Sequence, residues 1–198
     1  MCHGYLEHCR VPYYDILAAI FVAEGCYVFT HDLVGHGESG GTRATVKSFD
    51  NYVDDILQHA DLTRKKFSYK PIYLFGHSMK LATKILGRVL PSVPIAALDL
   101  ALYARDPDVL SYMASDPLRF HGNIPLVWPA ALFKAQDDFA ARLSYIQVPI
   151  LLQVPSDDKV CDVASMKKFF DALPSKYKEM KCKNRHQSRA AVDGAHQM

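Results

Sequence analysis

An α/β fold, with a mostly parallel sheet flanked by helices, is what this sequence predicts. Three short apolar runs, Cys26–His31, Pro71–Phe75 and Pro149–Gln153, each end at a turn signal. Each is apolar at consecutive positions, which is the pattern of a strand buried on both faces. Helix-prone stretches lie between them, and such alternation marks parallel strands joined by right-handed crossovers.

The elements follow in chain order. A helix over about Tyr13 to Ala23 ends near Gly25. The first strand runs into Asp32 and a loop holding Gly35, Gly37, Gly40 and Gly41. From Ser48 to Phe67, the residues Phe49, Tyr52, Val53, Ile56, Leu57 and Ala60 recur at helical spacing, with Ser48 as the expected N-cap. The second strand runs into Gly76 and the third into Pro155-Ser-Asp-Asp158. A last helix covers about Val163 to Leu173, before Pro174. The stretch from Leu81 to Arg142 breaks the alternation with Pro91, Pro94, Pro107, Pro117, Pro125 and Pro129. Short, angled helices forming a cap over an opening are expected there, with an irregular helical subdomain as the other reading. The end from Lys176 to Arg189 is basic and reads as a solvated tail. The expected organisation is therefore a core over 1–80, a cap over 81–142, more core over 143–175 and a basic, disordered tail over 176–198.

Composition narrows the function without naming it. With 198 residues, 49% hydrophobic and 22% charged, the chain has the make-up of one globular domain and not of a disordered protein. Lys+Arg 23 against Asp+Glu 21 gives a net charge of +2, too balanced for a nucleic-acid binder that works by bulk charge. The apolar run Ile16–Ala23 falls far short of the ~20 residues that span a bilayer. The opening MCHGYLEHCR has no apolar signal-peptide region. Five scattered cysteines without a C-x-x-C pair predict neither a disulfide framework nor a zinc site, and fit a reducing compartment.

The segment most telling of chemistry is Tyr73-Leu-Phe-Gly76-His77-Ser78-Met79. A strand ending in Gly-x-Ser before a helix lifts a serine hydroxyl into a cleft, and sets the next N–H, that of Met79, where an oxyanion can sit. Lys80 stands where the full five-residue motif has a second glycine. The pair His3-Gly4 is read as the loop that supplies a second oxyanion donor, the N–H of Tyr5, against the plainer reading of a loose N-terminus. Asp158, beyond the third strand, is the candidate to orient a histidine, and Asp157 and Asp162 compete for that role. In the order serine, acid, histidine, only His186 and His196 remain, and His186 is the candidate base, although no buried strand is expected before it. His31, Asp32 and His36 are read as parts of a tight structural loop and not as a metal site. His77 is expected to pack beside the serine and point away from it.

Taken in order, these segments resemble the monoglyceride lipase family of α/β-hydrolases. The matching pieces are HGYLEH at His3–His8, FTHDLVGHGESGG at Phe29–Gly41, FDNYVDDILQHAD at Phe49–Asp61 and PIYLFGHSM at Pro71–Met79. They continue with LDLALYARDPDVLSYMASDPL at Leu98–Leu118 and VPILLQVPSDDKVCD at Val148–Asp162. The resemblance implies Ser78 as nucleophile, Asp158 as acid and the backbone N–H groups of Tyr5 and Met79 as oxyanion hole. It implies cleavage of monoacylglycerols to fatty acid and glycerol with no metal or organic cofactor. It also implies a cap that touches membranes, and a cytoplasmic or peripherally membrane-bound protein that binds no nucleic acid. Three departures stand out. Sequence like that of the cap follows Ser78 at once, so a core helix–strand unit is missing and the sheet is expected to be incomplete, with an exposed apolar edge. The strands before His3-Gly4 are missing, and the tail beyond about Lys178 does not match. An inactive relative serving as a lipid-binding or interaction module, and another carboxylesterase or S33-type peptidase, are the competing readings.

Overall fold

A computed structural model describes residues 1–77, 100, 104, 106–156 and 163–183, which divide into two compact units, Met1–Ala135 and Gln136–Met198. The predicted Ser78, Met79, Asp158 and His186 lie outside the described residues, as does most of the predicted cap.

In the first unit, α1 spans Pro12–Ala23. Pro12 stands in the first turn, where a missing N–H loses nothing. Gly25, at φ +80°, ends the helix as expected, and its N–H is bonded to Val22 O. Helix α2 spans Asp50–Lys66. Its N-cap is Phe49 and not Ser48, although the Ser48 hydroxyl still accepts the Asp50 N–H at 3.2 Å. Its inward face differs from the predicted stripe. Tyr52 is buried, but Val53 and Leu57 are about half exposed, and the half-buried positions include Asp55, His59 and Thr63.

The two predicted strands of this unit form no ladder among the described residues. Met1–His3 runs between them instead. The Met1 ammonium donates to Phe29 O at 2.7 Å and the Thr30 hydroxyl to Met1 O at 2.9 Å. On the other side a single parallel bridge joins Cys2 to Gly76, through Cys2 N–H to Phe75 O (2.8 Å) and His77 N–H to Cys2 O (3.1 Å). The expected burial on both faces also fails. Tyr73 is 82% exposed and Leu74 71%.

Helix α3, Pro107–Ser115, explains the Asp-Pro pair at its start. The Asp106 carboxylate accepts the Asp108 N–H at 2.9 Å as N-cap, and Pro107 opens the first turn. Helix α4, Val127–Ala141, carries Trp128 fully buried at its start, and the division between the units falls within it. Leu6, Leu33, Ala44, Val46, Tyr52, Ile124, Trp128, Ala131 and Leu132 make the core of the first unit.

The second unit is a strand–helix–strand element. Strand β1, Ile150–Pro155, pairs in parallel with β2, Lys178–Lys183, from Ile150↔Lys178 to Pro155↔Lys183, and α5, Val163–Ala172, connects them. The solvated tail expected from Lys176 onward is therefore corrected over 178–183, where the chain forms a strand. Lys178 shows why: its ammonium donates to the carbonyls of Phe170 (2.9 Å), Asp171 (3.1 Å) and Leu173 (2.7 Å), satisfying the end of α5. Ser175, buried, donates to Val148 O at 2.7 Å and ties the entry of β2 to that of β1.

Two stability outcomes are expected. Lys178→Met removes three charge-assisted bonds and lowers unfolding free energy by about 1–3 kcal/mol. Trp128→Ala, at a site with 0% exposure, costs about 3–5 kcal/mol. Urea unfolding followed by far-ultraviolet circular dichroism measures both.

Candidate active site

The predicted oxyanion loop is a tight turn, Gly4 to Glu7, closed by the Glu7 N–H on Gly4 O at 3.4 Å. Leu6, in its third position, has φ +65°, where a residue with a Cβ is strained. The turn is held from His3. The Leu33 N–H donates to His3 Nε2 at 2.9 Å, so the proton of the neutral imidazole is on Nδ1, and it goes to Gly4 O at 2.8 Å. Burial pushes the His3 pKa down and keeps the ring neutral. The Gly4 carbonyl and the Tyr5 N–H belong to one planar trans peptide and point in opposite directions. Pinning the carbonyl therefore aims the Tyr5 N–H, which meets no acceptor among the described residues. The Tyr5 side chain anchors the same residue. Its hydroxyl donates to Ala44 O at 2.8 Å, and its ring stacks on Trp128 with centroids 3.5 Å apart.

The glycine loop packs behind this turn. Asp32 accepts the Cys9 N–H at 2.7 Å and the Glu38 N–H at 2.8 Å. Gly37 lies so close that a Cβ there would stand 2.1 Å from the Asp32 carboxylate oxygen. The histidines of the loop have protein partners: His31 Nδ1 is 2.9 Å from His59 Nδ1, and His36 Nδ1 donates to Val34 O at 3.1 Å. Asp32 and both rings thus act as structural parts, and among the described residues no three ligating side chains gather in one place.

Beside the turn lies a buried polar cluster that the sequence did not disclose. Glu7 is 7% exposed and accepts the hydroxyls of Tyr13 and of Tyr14, the latter at 3.0 Å. His77 Nδ1 stands 3.4 Å from the same carboxylate oxygen, and the Arg119 guanidinium 3.8 Å from the other. Burial alone raises the Glu7 pKa, but the bonds from His77 and Tyr13 and the charges of His77 and Arg119 outweigh it and hold the carboxyl at about 2. His77 is thus packed against Tyr13 and Tyr14 of α1. A second pair, His8 Nε2 to Asp116 Oδ2 at 2.7 Å, joins the residue after Glu7 to the end of α3, and both side chains are buried. A glutamate amid His3–Val11, with two tyrosines at the next helix start, was the signal available for the cluster.

The four other predicted site residues lie outside the described residues, and only their places in the sequence are given. Ser78 follows His77, and Met79 follows Ser78. Asp158 is the third residue beyond β1, and His186 the third beyond β2. Among the described residues no helix is long and apolar enough to cross a membrane.

A family model described as serine aminopeptidase, S33, matches residues 1–79 and 80–187. The chain belongs to the serine aminopeptidase S33 family. Among its S33 relatives, monoglyceride lipase from Rattus norvegicus is 28% identical over 216 residues, covering 90% of this chain and 71% of the relative. The Homo sapiens monoglyceride lipase is 29% identical over 197 residues, and the aligned part covers 81% of this chain but 64% of the human one. A monoacylglycerol lipase crystal structure from Paleococcus ferrophilus superposes with a TM-score of 0.73 at 21% identity, covering 98% of this chain and 91% of that one. A soluble variant of Saccharomyces cerevisiae monoglyceride lipase, in complex with a substrate analogue, gives 0.69 at 19% identity, covering 93% and 76%. The fold is that of the α/β-hydrolases, with an incomplete sheet among the described residues.

The titrating groups of this S33 site predict its acid response. Burial holds the His36 pKa at about 4, so the folded state binds fewer protons than the unfolded state below about pH 6.5, and stability falls with pH there. Lowering the pH from 6.5 to 5 removes roughly 1.5 kcal/mol through His36 alone. His36→Gln flattens that part of the curve. Glu7 acts lower: its stabilisation is complete above about pH 4.5 and disappears as the pH falls towards 2. Urea midpoints measured across this range check both slopes.

Proposed function

We propose that this chain is a serine ester hydrolase that cleaves monoacylglycerols to fatty acid and glycerol. Ser78 is the nucleophile, His186 its base, Asp158 the residue that orients the base, and the N–H groups of Tyr5 and Met79 form the oxyanion hole. The observation that carries this reading is a pairing register that recurs in both units. Parallel strands leave a sheet at one edge, where ligands of open α/β sheets bind. Cys2 pairs with Gly76, and the chain runs on to Tyr5 from one and to Ser78 from the other. Pro155 pairs with Lys183, and the chain runs on by three residues to Asp158 from one and to His186 from the other. Neighbouring strands lie about 4.8 Å apart. The strand β2 also supplies what the sequence lacked, a strand ahead of His186.

The chemistry is acyl transfer in two halves. His186 takes the proton of Ser78 as its oxygen attacks the ester carbonyl. The two amides hold the resulting oxyanion, whose collapse expels glycerol with the proton returned by His186. Water, deprotonated by the same base, then releases the fatty acid and frees Ser78. The acyl chain is read as entering beneath a cap over 81–142, whose apolar face also meets lipid surfaces at the membrane of the cytoplasmic side. The relatives called monoglyceride lipase and the complex of the yeast structure with a substrate analogue support the choice of ester.

A fluorophosphonate probe tests the reading, because it labels only an activated serine. The wild-type chain is expected to label, Ser78→Ala to lose labelling, and His186→Ala to lose turnover on the order of a millionfold, as in a well-studied serine hydrolase. An unlabelled wild-type chain favours the inactive lipid-binding reading, and full activity of His186→Ala removes His186 as base. Faster turnover of short esters or aminoacyl amides than of monoacylglycerol moves the assignment to another carboxylesterase or to a peptidase.

A further inference from the structure

The Tyr14 hydroxyl joins the two backbone stretches that lead into the proposed oxyanion hole. Tyr14 projects from α1 and is 2% exposed. Its oxygen accepts the Gly4 N–H at 3.1 Å, and Gly4 immediately precedes Tyr5. The same oxygen lies 3.0 Å from His77 Nδ1, and His77 immediately precedes Ser78. Its proton goes to Glu7 Oε2 at 3.0 Å.

Proton counting makes this arrangement definite. An ionised carboxylate only accepts, so Glu7 takes the single proton of Tyr14. The two lone pairs of the phenol oxygen are then left for donors, and the Gly4 N–H and the His77 Nδ1–H occupy them. Glu7 thus fixes the rotation of the Tyr14 hydroxyl, and the hydroxyl holds the Gly4 backbone and the His77 ring. Tyr13 does not duplicate it. Its hydroxyl reaches Glu7 and stands 3.5 Å from His77 Nδ1, but it makes no bond to Gly4 among the described residues.

We infer that Tyr14 is a positioning residue for the hydrolase reaction, holding the Gly4 backbone and the His77 ring, which immediately precede Tyr5 and Ser78 in the chain, at a fixed spacing. The inference rests on the reading of Ser78 as nucleophile. A phenylalanine at position 14 keeps the buried ring, strands the Gly4 N–H and leaves the His77 ring only its longer contacts to Glu7 and Tyr13. Small misplacement at a reacting centre costs about a hundredfold in rate.

The test compares wild type, Tyr14→Phe and Glu7→Gln for fluorophosphonate labelling rate, for kcat and KM on a soluble ester, and for thermal midpoint. Tyr14→Phe is expected to label ten- to a hundredfold more slowly, about as expected for a weakened oxyanion donor, with kcat falling and KM within about twofold. Glu7→Gln, which removes the carboxylate that orients the hydroxyl, is expected to reproduce the loss, and the double variant to be no slower than Tyr14→Phe. Labelling of Tyr14→Phe within about twofold of a labelled wild type overturns the inference alone. So does a rise in KM with kcat unchanged. An unlabelled wild type overturns the nucleophile reading, and the inference with it. Should Tyr14→Phe fail to fold, Glu7→Gln decides, and wild-type kcat in that variant overturns the inference.

Discussion

One backbone amide, the N–H of Leu33, governs the geometry of the site. By occupying His3 Nε2 it forces the imidazole proton onto Nδ1, and that proton holds the Gly4 carbonyl. Peptide planarity then directs the Tyr5 N–H away from the pinned carbonyl. Leu33 is itself held by what precedes it, since Asp32 binds backbone on both sides of the loop, at Cys9 and at Glu38. The glycines of this structural loop serve that packing. Gly37 leaves room for the Asp32 carboxylate, which no side chain at that position would allow.

Buried polar groups are dense around this turn: His3, Glu7, His8, His36, Asp116 and Arg119 are all nearly inaccessible. Such groups contribute modestly to stability when paired and are costly when one partner is removed. Their geometric effect is clearer. His8 with Asp116 ties the turn to the end of α3, and Glu7 with Tyr14 ties it to α1 and to His77. The turn carries a leucine in a left-handed conformation, and surroundings this constrained are what allow such strain to persist.

Much of this was legible in the sequence, where local rules agree with the fold. Helix α1 runs from its proline to its glycine, and the apolar run at Pro149 becomes β1 within a residue or two. The motifs HGYLEH, GHSM and RDP pointed to the right family. What was hidden depends on partners distant in sequence. The runs at Cys26 and Pro71 have the composition of strands, but they flank a three-residue segment and one bridge, so no ladder forms. The strand β2 reads Lys-Glu-Met-Lys-Cys-Lys, with no apolar alternation, and forms through its register with β1 and the capping by Lys178 of α5. Glu7 drew no reading from the sequence, because nothing local announces that two tyrosines, a histidine and an arginine surround it.

The central claim is that the oxyanion of the intermediate formed on Ser78 is met by two main-chain amides. A crystal structure of the chain reacted with a phosphonate ester tests it most directly. The account predicts a covalent bond to Ser78 Oγ, with the phosphonyl oxygen about 2.7–3.1 Å from the nitrogens of both Tyr5 and Met79. A phosphonyl oxygen facing solvent, or held by side chains with both amides turned away, would contradict it.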